Sequence, residues 1–157
     1  QIGRPLIIST GTGSETDVDA VWNALSVLPT DDRPSSRLAF LHATSEYPAP
    51  AEHLNLNAIR TLRDRYPTVI GYSSHFAGIS MPLVAYVLGA RIIEVHFTLN
   101  RAMKGTDHAF SLEPDGLRKL VRDLTRARVA MGDGVKRMLP EEMAALEKQG
   151  RAPKVTT

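Results

Sequence analysis

Cysteine is absent from the 157-residue chain, which excludes disulfides and thiolate chemistry and fits a cytoplasmic setting. No apolar run approaches membrane-spanning length, and no charged-then-apolar signal segment opens the chain, so no membrane partner is expected. The net charge is only +2, and the basic residues are spread through the helical stretches. A nucleic-acid partner is therefore not expected either, since that needs a clustered basic face. The glycine-rich "GTGSE" at 11 to 15 lacks both the lysine of a Walker loop and the full dinucleotide fingerprint. Its helix N-terminus is able to cradle a phosphate, but it is poor as a nucleotide site. Hydrophobic residues at 43% and charged residues at 23% are ordinary for a globular protein. The opening "QIGRPLIIST" reads as an element already under way, and a piece of a longer protein is expected.

What is present is an alternation. Short apolar, β-branched runs at 5–10, 37–43, 68–72 and 91–97 read as strands. Between and after them, amphipathic stretches at 14–28, 54–66, 79–89 and 113–132 read as helices, and a short helix is expected over 140–150. Ser14 is placed to cap the first helix. Pro82 falls in the first turn of the third, where proline is tolerated, and Gly89 closes that helix. "RAPKVTT" at the end reads as a linker or frayed tail. Strands this short and apolar are covered on both faces, as in parallel sheets. Four βα units fit half of an eight-stranded barrel or a small doubly wound sheet.

Each strand runs into residues foreign to a core: Ser9-Thr10, then His42 with Ser45 and Tyr47 beyond, then Ser73-Ser74-His75, then His96 with Asp107 beyond. Ligands of parallel α/β folds bind at the carboxyl ends of the strands. Taken singly, a serine there is usually a turn former, and a histidine is usually a hydrogen-bonded core residue. His75 and His96 together are different, because they end consecutive strands, which lie about 4.8 Å apart in a parallel sheet. Two imidazoles at adjacent tips are able to bind one metal ion with positions left for substrate or water. His42 is a weaker candidate, as a donor to that site. His53 reads as loop surface, and His108 is undecided.

The stretches "LIISTGTGSETDVDAV", "LHATSEYPAPAEHLNLNAIRTL", "VIGYSSHFAGIS", "GARIIEVHFTLNRAMKGTDHAFSLEP" and "MGDGVKRMLPEE" resemble, in order, the sialic acid synthase family, which includes the legionaminic, pseudaminic and spore-coat polysaccharide relatives. The resemblance implies a (βα)4 half of a TIM-type (β/α)8 barrel over residues 1–139, corresponding to strands five to eight. Residues 140–157 then begin the linker to an antifreeze-like domain. It implies an enzyme that condenses phosphoenolpyruvate with an N-acylated amino sugar such as N-acetylmannosamine and releases phosphate. It assigns His75 and His96 to a divalent metal, with manganese first and magnesium or cobalt next, acting as a Lewis acid on the sugar aldehyde. Ser45 and Ser73 match positions that hold the phosphate, Ser9 lines the same pocket, and Tyr47 and Asp107 match positions that contact the sugar.

The chain departs from the family pattern at Ser74, where aspartate is usual, at Val95, where lysine is usual, and in "MKGTDH" for the usual "MPGPDH". Ser74 is expected to remove a carboxylate that orients His75. The alternative to the enzyme is a non-catalytic half-barrel that binds a sugar or only assembles. An open half-barrel exposes two sheet edges, so a homodimer is expected, with two copies able to close one barrel. A signalling receiver domain fits poorly, because it would place clustered acidic residues where this chain has serines and histidines.

Overall fold

The computed structural model of the chain describes residues 4–26 and 37–150. In order run β1 (Leu6–Ser9), α1 (Glu15–Ser26), β2 (Leu38–Ala43), α2 (Ala58–Arg65), β3 (Val69–Ser74), α3 (Ser80–Leu88), β4 (Ile93–Val95), α4 (Pro114–Ala130) and α5 (Pro140–Lys148). The last two residues expected in the first helix and the tail from 151 lie outside the described residues. The strands form one parallel sheet in the order β1-β2-β3-β4. A doubly wound sheet reverses its strand order at a switch point, whereas here each strand pairs with the next in sequence. This is the half-barrel reading. The chain divides into two compact units, Gln1–Ala127 with the sheet and Arg128–Thr157 with α5. Among the described residues no helix is long and apolar enough to cross a membrane.

The pleat sorts the strand residues, since successive side chains point to opposite faces. Leu38 and Phe40 of β2 and Ile70 and Tyr72 of β3 join one buried cluster with Val18 of α1, Ile59 and Leu62 of α2 and Ala85 of α3. Alternate positions therefore turn to the other, barrel-interior side: Leu41 and Ala43, then Gly71 and Ser73, with His75 following. At Gly71 the strands approach so closely that a Cβ would stand 2.6 Å from the Ile92 carbonyl oxygen and 2.8 Å from Ile92 Cβ.

Local chemistry sets the helix ends. Ser14 Oγ donates to Asp17 Oδ2 at 2.6 Å, and that carboxylate also accepts the Ser14 N–H at 2.7 Å. This fixes the start of α1 where its sequence places a cap. The α2 helix begins four residues later than its apolar pattern suggests. Asn55 takes φ 42°, a left-handed conformation that no helix interior accepts, and Ala51–His53 forms a separate 3-10 turn. At the end of α3, Gly89 adopts φ 115°, and the Gly89 and Ala90 N–H groups reach back to Tyr86 and Ala85 at 3.0 Å each. This is a Schellman closure.

A polar clamp joins α1 to the end of α2. Arg65 Nε donates to Asp19 Oδ1 at 2.8 Å and its Nη1 to Glu15 at 3.0 Å, while the Tyr66 hydroxyl donates to Asp19 at 2.7 Å. Burial first, and then Asp19, push the Tyr66 phenol up to about 12. A phenol whose folded value is raised contributes stability that is present below its ordinary value of 10 and lost as pH rises through about 12. Phenolate absorbance during an alkaline titration is expected to show a late component, from Tyr66, that ionises at about 12 rather than at the ordinary 10. Asp19→Ala is expected to lower the Tyr66 transition part of the way. A Tyr66 that ionises at the ordinary tyrosine value would contradict this account.

Candidate functional site

The interior-facing residues beyond β3 and β4 meet. The ring centroids of His75 and His96 lie 5.3 Å apart, edge to face at 82°. His75 is buried. Its Nδ1 faces the Thr44 carbonyl oxygen, which only accepts, so Nδ1 carries the proton and donates. The Nε2 atom of His75 is thereby left with a free lone pair. His96 Nδ1 faces the carboxylate of Asp107 at 3.5 Å, an ion-pair distance longer than an ordinary hydrogen bond. Holding Nδ1 by an oxygen acceptor is the arrangement that orients imidazoles toward a metal.

Aromatic rings wall the pair. Tyr47, from the loop after β2, lies over His75 at 4.1 Å between centroids and 5.9 Å from His96, yet remains 51% exposed, so its other face is open to a ligand. Buried Phe110 stands 5.0 Å from His96 and 6.0 Å from Tyr47. Among the described residues no cluster of three or more histidine, aspartate, glutamate or cysteine side chains encloses a metal position. The site thus brings together two imidazoles, with the Asp107 carboxylate on the Nδ1 side of His96.

The serines form a second group at the same end of the sheet. Ser73 Oγ donates to Glu94 Oε2 at 2.6 Å across β3 and β4. A hydroxyl carries one proton, so Ser73 gives it to a phosphate only by releasing Glu94. Ser45 packs its hydroxyl against the Cα of Gly11, where a Cβ would collide with it. Gly11 is thus what allows the loop after β1 to approach the loop after β2. Ser9 ends β1 in register with Leu41 and is exposed.

Several expectations acquire physical content. Position 74 points to the helix side of β3, away from His75, so the orienting oxygen on His75 comes from the backbone of Thr44. The Ser74 and Tyr72 hydroxyls are both buried without a hydrogen-bond partner. Burial raises the Tyr72 phenol, and the nearby Ser74 hydroxyl offsets part of that rise without reaching hydrogen-bond geometry. His42 donates from Nε2 to the Leu54 carbonyl at 2.8 Å, with its ring stacked on Tyr72. His53 is exposed and pairs with Glu46 at 2.8 Å, which raises its pKa. Sequence reasoning passed over Glu94 and Phe110. Glu94 carries a signal, an acidic residue two before His96 in an otherwise apolar strand. Phe110 carries none beyond its place after Asp107-His108.

The fold is half of a TIM-type barrel, with an imidazole pair and hydroxyls at the carboxyl ends of its strands. The chain is a member of the NeuB family, which its residues 1–136 match. It is 39% identical over 142 residues to the N,N'-diacetyllegionaminic acid synthase of Campylobacter jejuni, covering 90% of this chain and 42% of that one. It is 38% identical over 151 residues to the N-acetylneuraminate-9-phosphate synthase of Homo sapiens, covering 96% of this chain and 40% of that one. In structure it resembles the N-acetylneuraminic acid synthetase of Leptospira borgpetersenii, solved in complex with citrate, with a TM-score of 0.77 and 35% identity over 93% of this chain and 49% of the other. The chain therefore spans about 40% of the length of the curated relatives it matches.

Proposed function

We propose that this chain carries the metal-bearing half of the active site of a synthase. That synthase joins phosphoenolpyruvate to an N-acylated amino sugar, giving a nonulosonic acid and phosphate. The observation that carries the reading is the approach of the His75 and His96 rings to 5.3 Å at neighbouring strand ends, each with Nδ1 facing an acceptor. A divalent ion, manganese first and magnesium or cobalt next, supplies Lewis acidity toward the sugar aldehyde when bound. His75 and His96 hold it through Nε2. Tyr47 offers its open face to the sugar ring or acyl group, and Asp107 offers the carboxylate edge not directed at His96. Ser9, Ser45 and Ser73 line the phosphate side, with Glu94 releasing the Ser73 proton as the anion arrives. The full enzyme is proposed to work as a homodimer, and this segment by itself to have negligible synthase activity.

The test is calorimetric titration of manganese into the chain and into His75→Ala and His96→Ala. The expected result is binding near 1:1 that each substitution weakens by more than the roughly 10–100-fold typical of an outer-shell change. A folded chain that binds no manganese, or variants that bind as the parent does, would overturn the metal reading. A non-catalytic half-barrel would then be the better description.

A further inference from the structure

The loop between β4 and α4 brings Asp107 to His96, and a set of contacts unused by the proposed chemistry fixes that loop. Thr98, two residues past His96, is 4% exposed, and its N–H donates to the Leu112 carbonyl at 2.9 Å. Its hydroxyl lies 2.7 Å from His108 Nδ1 and accepts the Asn100 N–H at 3.2 Å. The hydroxyl also lies 3.2 Å from the Asn100 carbonyl oxygen, to which it donates. The His108 ring brings its Cδ2–Nε2 edge against Gly105, where a Cβ would stand 2.7 Å from Cδ2 and where φ is 153°. Only glycine leaves that space at that backbone conformation without strain. His108 is the immediate neighbour of Asp107, so the orientation of one constrains the other.

We infer that Thr98 and His108 are positioning residues that set the Asp107 carboxylate against the His96 imidazole. His108 ties the returning limb of the loop to the strand end that carries His96. Other contacts hold the loop independently of it. Arg101 Nε donates to the Ala109 carbonyl at 2.7 Å and its N–H to Glu113 at 3.0 Å, while Ser111 Oγ donates to the Asp107 carbonyl at 2.6 Å. Removing the His108 imidazole therefore turns Asp107 away from His96 without releasing the loop. The proposal rests on the reading of His75 and His96 as the metal pair, to which it adds the control of His96.

The experiment reads His96 directly, in metal-free protein, by the ring nitrogen signals of 15N-labelled histidine at a pH above the ordinary histidine range. In the parent, His96 is expected to carry its proton on Nδ1. Asp107→Ala is expected to shift the signals to the Nε2-protonated form that free histidine favours. His108→Ala and Thr98→Val are expected to move them most of the way to the Asp107→Ala position. His108→Asn, whose amide reaches the Thr98 hydroxyl, is expected to restore the parent signals. In a parallel manganese titration, His108→Ala is expected to bind about tenfold more weakly than the parent.

Parent-like His96 signals in folded Thr98→Val and His108→Ala would overturn the inference, as would a parent His96 protonated on Nε2. A parent that binds no manganese would sink the metal reading alone, because the ring signals still decide whether Thr98 and His108 position His96.

Discussion

Gly71→Ala is expected to lower the unfolding free energy by about 3 kcal/mol, in the upper part of the range for overpacking a core. Two effects oppose each other. The φ of Gly71 is not among the positive values, so alanine suits the strand backbone, and the stiffer unfolded chain would by itself favour alanine by about 0.4–1 kcal/mol. The steric effect is larger. The new methyl would meet the Leu41 side chain, the Ile92 carbonyl oxygen and Ile92 Cβ together. A side chain can turn aside, but the Ile92 carbonyl accepts the Tyr72 N–H at 2.8 Å and cannot retreat without opening the seam between β3 and β4. Urea unfolding followed by circular dichroism would show the loss as a lower midpoint at unchanged slope. A midpoint equal to or above the parent's would contradict the close approach. Gly71 lies on the same side of β3 as Ser73 and His75, so manganese affinity is expected to fall with stability.

The largest effect on activity is expected from joining this chain to the first four βα units of a family relative. The residues named for the site are serines, histidines, a tyrosine and two carboxylates, with no lysine or arginine among them. Phosphoenolpyruvate is highly anionic, and preorganised positive groups usually do most to stabilise such charge. One missing donor alone costs on the order of 10²–10³ in rate. Phosphate release from phosphoenolpyruvate, N-acetylmannosamine and manganese is therefore expected to rise by at least about 10³-fold in the joined protein, and to vanish again with His75→Ala. A folded, joined barrel that releases no phosphate would sink the synthase reading and leave the chain as a binding or assembly module.

How much of this was legible in the sequence follows from what side-chain order encodes. The four βα units were legible because apolar runs and helical periodicity alternate cleanly. The meeting of His75 and His96 was legible because each ends one of two consecutive strands, and parallel pairing brings such ends together. The start of α2 was not legible. "LNLN" keeps a helical apolar spacing, but Asn55 leaves the helical region and Leu54 is held by His42. The oxygen on His75 was not legible because it belongs to the Thr44 main chain, which carries no residue signal. His108 was undecided for a related reason. Its partner, Thr98, is ten residues away, across a loop whose path the sequence does not reveal. Side-chain identity at a strand end is written in the chain, whereas the backbone atoms and loop contacts that orient it depend on tertiary geometry.

The loop after β2 holds His75 at two points: the Thr44 carbonyl takes its ring proton, and the Ala49 N–H takes its carbonyl at 3.0 Å. Between those points stands Tyr47, whose ring rests on the same imidazole. Whatever docks on that tyrosine therefore pulls on the His75 nitrogen proposed to hold the ion, through a span of only a few residues. Thermodynamic reciprocity then requires that an ion that steadies His75 tighten the hold on the docked molecule by the same factor with which that molecule tightens the hold on the ion. Order of addition would set the path to the loaded state, but the combined affinity would be one number.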